Sequence, residues 1–332
     1  EICACLVGSE MCIRDRYIPA VVFLIFIYGM ALWFLFSPKT DYSSSEKRYL
    51  QKFPDANVEK VLSGEFGSEF ETFFADQFPQ RNTWVGINAY TTLAEGNNGA
   101  SGVYNCKNGY LINKPVSTEN NLDKNIGAVA DFAKSIDTPT TVMLVPSTGY
   151  IADDVLPTFH DKYNDDEDIS RISSTLSKDK IGFVDLRERF KSEYKNGSQL
   201  YYKTDHHWTT KGAYTGYQEL CKALGITPID DSTLKKDSYP DFYGTTYSSS
   251  GFWLTPPDNI EIWSNPNNSS KNISVKITEG ANIKTSGSMY FTDHLKEDDK
   301  YPVFIDGNHA LTEITNLSLI HISEPTRHAQ IS

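Results

Sequence analysis

An aspartate and a histidine two residues apart stand in the stretch KTDHHWTTKGAY, which runs from Lys203 to Tyr214. A carboxylate beside an imidazole can accept the ring N–H, fix the tautomer and stabilise the imidazolium. The second ring nitrogen is then free to remove a proton from a serine or cysteine nucleophile. Asp205 and His207 are therefore predicted to form half of a nucleophilic site that needs a hydroxyl or thiol partner.

The geometry of this pair depends on the element that precedes it. Leu200–Lys203 follows a polar turn and is predicted to be a third strand, with the pair just past its carboxyl end. Ligands of open α/β sheets bind at that edge. Alternate residues of an extended segment face the same side, so Asp205 and His207 are expected to meet while His206 points away.

Two other interpretations fit the same residues. Thr209 or Thr210 is predicted to cap the following helix, so one alternative is a plain helix start with a hydrogen-bonded aspartate and histidine. The other is a metal site. Adjacent histidines of an extended segment face opposite ways, and no further histidine is near in sequence, so no metal is predicted. The catalytic pair and the plain helix start both remain open.

The segments before the pair predict an α/β domain. TVMLVP (Thr141–Pro146) and IGFVDL (Ile181–Leu186) are short apolar runs typical of buried strands, and DISRISSTLSK (Asp168–Lys178) between them is a predicted helix. This order favours a parallel sheet flanked by helices. Further elements predicted from apolar patterns are helices at Phe66–Phe78, Ile126–Ile136 and Ala213–Leu224, and an irregular β insertion at Trp263–Ser288.

Composition and charge narrow the functional class. The net charge is −12 and no basic stripe is present, so nucleic acid is not an expected partner. Tyr17–Phe36 carries no charge over about 20 residues and has aromatic residues near its ends, which predicts a membrane anchor. A cleaved signal peptide is the alternative. The cysteines outside residues 1–16 are Cys106 and Cys221. They are far apart and form no CxxC pair, so no zinc or redox motif is predicted.

The two ends of the chain are expected to be foreign to the protein. LSLIHISEPTR (Leu317–Arg327) can be written in codons whose reverse complement, read one base out of frame, encodes LVGSEMCIRD, which is Leu6–Asp15. Natural gene ends have no reason to encode opposite strands of one segment. Residues 1–16 and 317–332 are therefore expected to derive from a sequencing adapter. The predicted organisation is an anchor at 17–36, a tether and helical juxtamembrane region at 37–98, and a C-terminally truncated α/β domain at 99–316.

The residues around the pair also resemble a known family. Asp-His-His-Trp resembles the DHHW family of bacterial membrane-anchored proteins, which is related to AlgX/AlgJ-type O-acetylation proteins with an SGNH hydrolase-like domain. Asp205 and His207 carry the likeness, while His206 stands at the variable position. The segments that accompany the motif in the same order are FADQFPQRN (Phe74–Asn82), GVYNCKNGYLI (Gly102–Ile112), VMLVPS (Val142–Ser147), FYGTTYSSSG (Phe242–Gly251) and YPVFIDGN (Tyr301–Asn308).

The resemblance implies Ser-His-Asp acyl transfer without a cofactor. In the family the serine follows the Asp-x-His pair, in an Asp-Ser-Tyr-like motif after a Gly-Asn segment. The nucleophile is therefore expected beyond Asn316, and Asn308 is a candidate oxyanion donor. Ser147, just past a predicted strand, is a weak substitute nucleophile because its surroundings lack the Gly-x-Ser-x-Gly elbow.

The implied activity is O-acetyl transfer to a cell-surface polysaccharide, or its deacetylation, on the extracytoplasmic side of the cell membrane. A membrane-bound O-acyltransferase is the implied partner that supplies acetyl groups. An acetylesterase would use the same residues and differ in whether water reaches the acyl-enzyme. A non-catalytic polysaccharide-binding or scaffold protein is the alternative from another class, and metal-dependent hydrolysis is a third. The aromatic side chains expected to contact sugar are Tyr202, Trp208, Tyr243 and Trp253.

Overall fold

The computed structural model describes residues 4–116, 121–266 and 273–316, with side chains from Tyr17 onward. The chain divides into two compact units, Glu1–Ser44 with Arg48–Val85 and Ser45–Lys47 with Gly86–Ser332. The tail at 317–332 lies outside the described residues, and so do the side chains of 1–16. The boundary at residues 98 and 99 and the foreign origin of the two tails stay predictions.

The first unit contains one long apolar helix, α1 (Ala4–Phe36). Its segment Tyr17–Phe36 has a mean hydropathy of 2.4, and its side chains are largely exposed except for Phe34, which packs on Phe73 and Phe74. By length and composition this segment is able to span a membrane. The other elements of this unit are β1 (Tyr42–Ser43), β2 (Arg48–Tyr49), α2 (Val58–Ser63), α3 (Glu65–Asp76) and the beginning of α4 (Arg81–Ala94). The helix predicted at Phe66–Phe78 is confirmed as α3.

The second unit mixes helices with short strands. Its helices after α4 are α5 (Leu122–Ser135), α6 (Thr148–Ile151), α7 (Asp165–Lys178), α8 (Arg187–Lys195), α9 (Thr210–Leu224) and α10 (Thr245–Ser250). Its strands are β3 (Gly99–Ala100), β4 (Val103–Asn105), β5 (Leu111–Asn113), β6 (Thr141–Leu144), β7 (Gly182–Asp185), β8 (Lys235–Phe242), β9 (Asp258–Ser264), β10 (Ile273–Glu279), β11 (Asn282–Ser286) and β12 (Leu311–Asn316).

A parallel strand pair covered by helices forms one part of this unit. β6 and β7 pair in parallel, with Thr141 opposite Gly182 and Leu144 opposite Asp185. The chain between them includes α7, which is the crossover that a parallel pair requires. Ile126, Ala130, Leu176 and Ile181 form a buried cluster with residues of both strands. The predicted strand, helix and strand are confirmed, because their apolar faces are buried in this layer.

The remaining sheets differ from the predicted parallel arrangement. Among the described residues β3–β4–β5, β8–β9 and β11–β10–β12 are all antiparallel. The segment Trp263–Ser288, predicted to be an irregular β insertion, contains β10 and β11, and β10 pairs with both β11 and β12 in a regular antiparallel sheet. The strand predicted at Leu200–Lys203 is wrong, since this segment makes only a single-residue bridge between Tyr201 and Trp208. Leu200 and Tyr201 are nevertheless buried, in a cluster with Leu186 and Phe190.

Candidate active site

The Asp-His-His residues lie at the tip of a tight turn between Leu200 and Thr209. The N–H of Tyr202 donates to the carbonyl of His207 at 3.2 Å, and the N–H of Thr209 donates to the carbonyl of Leu200 at 2.8 Å. Thr209 then caps α9, because its hydroxyl accepts from the N–H of Gly212 at 3.1 Å. The predicted cap is confirmed at Thr209, and it fixes the backbone that follows the histidines.

A buried carboxylate at the start of β9 holds the first half of the turn. Asp258 Oδ2 accepts from both the N–H and the hydroxyl of Thr204 at 2.7 Å. Its Oδ1 accepts from the N–H of Lys203 and the side-chain amide of Gln199, both at 3.0 Å. These bonds satisfy backbone groups that a neighbouring strand would otherwise satisfy. They explain why the segment runs through the domain without becoming a strand.

Asp205 and His207 form the predicted pair. Asp205 Oδ1 lies 2.5 Å from His207 Nδ1, and the aspartate is 1% exposed. Burial by itself raises the pKa of Asp205, but hydrogen bonds from the His207 ring and from the backbone amides of Thr245 and His207 outweigh it and hold the pKa well below its usual range. An ionised carboxylate only accepts hydrogen bonds, so Nδ1 of His207 carries a proton, and in the neutral ring Nε2 presents a lone pair.

Two residues from another part of the chain position Asp205. The N–H and the hydroxyl of Thr245, at the start of α10, both donate to Asp205 Oδ2, at 2.6 and 3.0 Å. A Cβ built on Gly244 would overlap the Asp205 side chain, so only glycine allows the two segments to approach this closely. Neither residue was identified from the sequence. They lie about 40 residues after the pair, and the one sequence signal for this region is the segment FYGTTYSSSG, which carries part of the family resemblance.

His206 contradicts the orientation expected for it. Its ring lies beside that of His207, with centroids 4.0 Å apart and planes inclined by 34°, rather than on the opposite side. The chain is turned here and not extended, so the alternation of strand side chains does not apply. His206 Nδ1 lies 2.9 Å from the hydroxyl of Thr245. Burial and the neighbouring His207 charge lower the pKa of His206, with Asp205 acting in the opposite direction.

The proximity of three donor residues bears on the metal interpretation. Asp205, His206 and His207 each offer a ligand atom, and these atoms lie within 4.8 Å of one another. The argument that the two histidines face opposite ways is therefore wrong. Asp205 already accepts four hydrogen bonds, two on each oxygen, which fills the lone-pair sites of a carboxylate. This arrangement suits a carboxylate that orients imidazoles better than one that coordinates a metal.

Tyr301 covers one face of the catalytic pair. Its ring stacks on the His207 imidazole, with centroids 4.4 Å apart and planes inclined by 23°. Burial, followed by the charge of Asp205, raises the pKa of the Tyr301 phenol, so the ring stays neutral at ordinary pH. Tyr301 also stacks against Phe242 of β8, with centroids 6.3 Å apart. The stacking fixes the ring plane of His207 and leaves its Nε2 edge as the reactive one.

Comparison with known proteins assigns the domain that carries this site. Residues 112–240, which include Asp205 and His207, match the SGNH hydrolase-like domain of the acetyltransferase AlgX. This segment of the chain is therefore similar to an AlgX-type SGNH hydrolase-like domain. The resemblance inferred from the sequence is confirmed, and so is the mixed α/β fold that it implied. No curated protein sequence matches the chain.

Solved structures share the fold of this SGNH-like domain. One is PatB1 of Bacillus cereus, determined with a sulfonyl adduct, with a TM-score of 0.52 at 18% identity over 64% of this chain and 72% of that chain. Another is a DHHW family protein of Eubacterium siraeum, with a TM-score of 0.51 at 17% identity over 65% of this chain and 72% of that chain. At these identities the likeness concerns the fold.

Within the part of the chain that the structure describes, no candidate nucleophile lies beside His207. Among the described residues, no hydroxyl or thiol makes a hydrogen bond with Nε2 of His207. Ser147 has other partners: its hydroxyl and N–H both donate to Asp165, at 2.8 and 2.6 Å, and it caps the short helix α6. Ser147 does line the same cavity as His206. Its bonds are those of a helix cap, and no imidazole activates it.

Three further residues that are predicted for the site are Asn308, Tyr202 and Trp208. Asn308 is exposed and, within the described part of the chain, makes no hydrogen bond to the catalytic pair, so its oxyanion role stays a prediction. Tyr202 is 1% exposed and packs on Phe242, so its assignment as a sugar contact is wrong. Trp208 packs against the glycines of α9, where a Cβ at Gly216 would lie 2.9 Å from its ring.

Two predicted aromatic contacts remain partly exposed. Tyr243 and Trp253 flank Tyr247, with ring centroids 4.3 and 5.1 Å from it. This aromatic row borders α10, whose first residue, Thr245, contacts Asp205. A sugar-binding role for Tyr243 and Trp253 stays a prediction.

Proposed function

We propose that this protein performs O-acetyl transfer to a cell-surface polysaccharide, or removes such acetyl groups, by Ser-His-Asp chemistry. The observation that carries the proposal is the pair itself: an ionised, buried Asp205 holds the Nδ1–H of His207, and Nε2 is left as a base. The match of this region to an acetyltransferase domain supports the choice of an acetyl group. No cofactor and no metal enters the chemistry.

In the proposed reaction His207 Nε2 removes the proton of a serine hydroxyl as that oxygen attacks the acetyl carbonyl of the donor. Asp205 stabilises the imidazolium that forms, and the proton then passes to the leaving group. In the second half, a sugar hydroxyl or water attacks the acetyl-serine and gives its proton to His207, and the departing serine oxygen takes this proton back as its bond to the acetyl group breaks. We assign the serine to sequence outside residues 17–316, and Asn308 to a donor for the oxyanion.

The proposed location is the extracytoplasmic face of the cell membrane. In this proposal the apolar segment Tyr17–Phe36 serves as the anchor that tethers the protein to the membrane. A membrane-bound O-acyltransferase is the proposed source of these groups. The acidic chain, with a net charge of −12, has no role with nucleic acid in this scheme.

A second candidate function is a non-catalytic polysaccharide-binding or scaffold role within an O-acetylation complex. The observation in its favour is that His207 Nε2 has no hydroxyl or thiol partner within the described residues. In that case the network around Asp205 only fixes the turn. The two functions differ in whether a serine outside residues 17–316 reaches His207.

The experiment is an esterase assay on the protein extended to its native stop codon, with p-nitrophenyl acetate as substrate. We expect turnover in the parent protein and a loss of about 10²-fold or more in His207→Ala, because a general base contributes that much. His160→Ala is the control, since His160 is an exposed histidine whose ring bonds to the carbonyl of Asp161 and lies beside the ring of Tyr163. Equal turnover in His207→Ala sinks the mechanism, and no turnover in the parent protein favours the scaffold role.

A further inference from the structure

The hydrogen bonds around Thr245 determine the tautomer of His206. The single hydroxyl proton of Thr245 is donated to Asp205 Oδ2, because a carboxylate has no proton to offer. The contact of 2.9 Å between the Thr245 oxygen and His206 Nδ1 must therefore be donated by the imidazole. In neutral His206 the proton sits on Nδ1, and Nε2 presents a lone pair. The lowered pKa of His206 favours this neutral form.

Asp205 thus orients two imidazoles in the same way. It accepts directly from His207 Nδ1 through Oδ1, and indirectly from His206 Nδ1 through the hydroxyl of Thr245 and Oδ2. The two rings lie side by side, with centroids 4.0 Å apart. The site therefore offers two neighbouring ring nitrogens as hydrogen-bond acceptors. Activation of a serine needs only one of them, that of His207.

A cavity opens on the His206 side of the pair. It has a volume of about 360 Å³, within the range of small-ligand sites. Its polar lining includes Asn113, Ser147, Asp165 and Asp168 together with His206. Carboxylate, amide and hydroxyl groups of this kind exchange hydrogen bonds with the hydroxyls of a sugar ring. The cavity has room for one sugar unit beside His206, whose ring lies against that of His207.

We propose that the acceptor is a sugar with two neighbouring hydroxyls, one held by His207 and the other by His206, with the ring seated in this cavity. The hydroxyl at His207 becomes acetylated, and its proton goes to His207 Nε2. The neighbouring hydroxyl donates to His206 Nε2 and stays unchanged. His206 is therefore a specificity-determining residue. This inference rests on the acyl transfer proposed above and adds to it the diol class of acceptor.

The selectivity follows from one hydrogen bond to His206 Nε2. A sugar that lacks the neighbouring hydroxyl cannot make this bond, and water takes its place because the His206 side chain is 52% exposed. Losing one such hydrogen bond lowers the rate of transfer by about tenfold. A sugar hydroxyl without a vicinal partner is disfavoured in the same way.

The test pairs a change in the enzyme with a change in the acceptor. The protein extended to its stop codon is given p-nitrophenyl acetate as donor, with methyl β-glucopyranoside or its monodeoxy derivatives as acceptors. We expect the parent protein to acetylate the intact acceptor about tenfold faster than the derivative that keeps the acetylated hydroxyl but lacks the one beside it. His206→Phe should bring this ratio close to one, and His206→Gln, which keeps an acceptor atom, should restore part of it. His160→Phe is the matched control and should keep the parent ratio.

Two outcomes overturn the inference: an equal preference in His206→Phe and the parent protein, or no preference in the parent. If no acetyl transfer occurs at all, the proposed function fails, and the diol site is judged separately by NMR on the 332-residue chain. The ring resonances of His206 should then shift with methyl β-glucopyranoside and shift less with the deoxy derivative. Resonances that do not respond to either sugar overturn the diol site.

Discussion

Gly244 and Asp205 approach so closely that a Cβ on Gly244 would occupy the position of the aspartate side chain. The φ of Gly244 is −89°, which any residue adopts, so the glycine is required by space and not by backbone conformation. It lets the N–H of Thr245 reach the carboxylate at 2.6 Å. The alignment of His207 therefore depends on a residue that takes no part in the chemistry.

Replacing Gly244 by alanine is expected to displace Asp205 and lower esterase turnover by about 10²-fold, because small displacements in a catalytic site have effects of that size. Gly127 provides a matched control. It lies in α5 with nothing within 4 Å of an added Cβ, so Gly127→Ala should stabilise the helix by about 0.5–1 kcal/mol. Turnover and urea unfolding measured on both variants check the prediction. Full turnover in Gly244→Ala would contradict the positioning role.

The hydroxyl of Thr245 is expected to matter separately from its N–H. Thr245→Val keeps the backbone bond and the shape, but it removes the donor to Asp205 and the acceptor for His206. We expect turnover to fall about tenfold, as for the loss of a hydrogen bond to a charged group. Thr245→Ser restores the hydroxyl and should recover most of the activity. Equal turnover in the valine and serine variants would show that the hydroxyl has no positioning role.

Asp205 should make folding stability depend on pH in the acid range. Its pKa in the folded protein lies below that of an unfolded aspartate, so its contribution is fully present above about pH 4 and is lost as pH falls further. Asp205→Asn removes this contribution. Between pH 6 and pH 3, judged by urea unfolding, the parent protein should lose more stability than the variant. Parallel curves for the two proteins would contradict the depressed pKa.

Several local elements and one pair of site residues could be predicted from the sequence alone. β6, β7 and α7 were predicted because apolar runs and helical periodicity are local patterns. Asp205 and His207 are also predicted to form a pair, although the extended strand on which that prediction rests does not form. They meet through a turn braced by Asp258, and an extended strand would have sent His206 to the other side.

The rest of the site depends on contacts that spacing does not reveal. Thr245 and Tyr301 reach the pair from about 40 and 90 residues further along the chain, so their roles arise only in the folded domain. Both lie in segments that carried the family resemblance, which was the one signal pointing to them. Tyr202 was misassigned for a related reason. Aromatic type fits both a sugar platform and a core, and its burial decides between the two.

The most direct test of the account is to find the nucleophile by covalent labelling. The protein extended to its stop codon is treated with phenylmethylsulfonyl fluoride, and the modified residue is located by mass spectrometry of its peptides. We expect one modified serine outside residues 17–316, with labelling abolished in His207→Ala and retained in His160→Ala. Labelling at Ser147, or labelling that proceeds equally without His207, would contradict the assignment of Asp205 and His207 as the base of an acyl-transfer site.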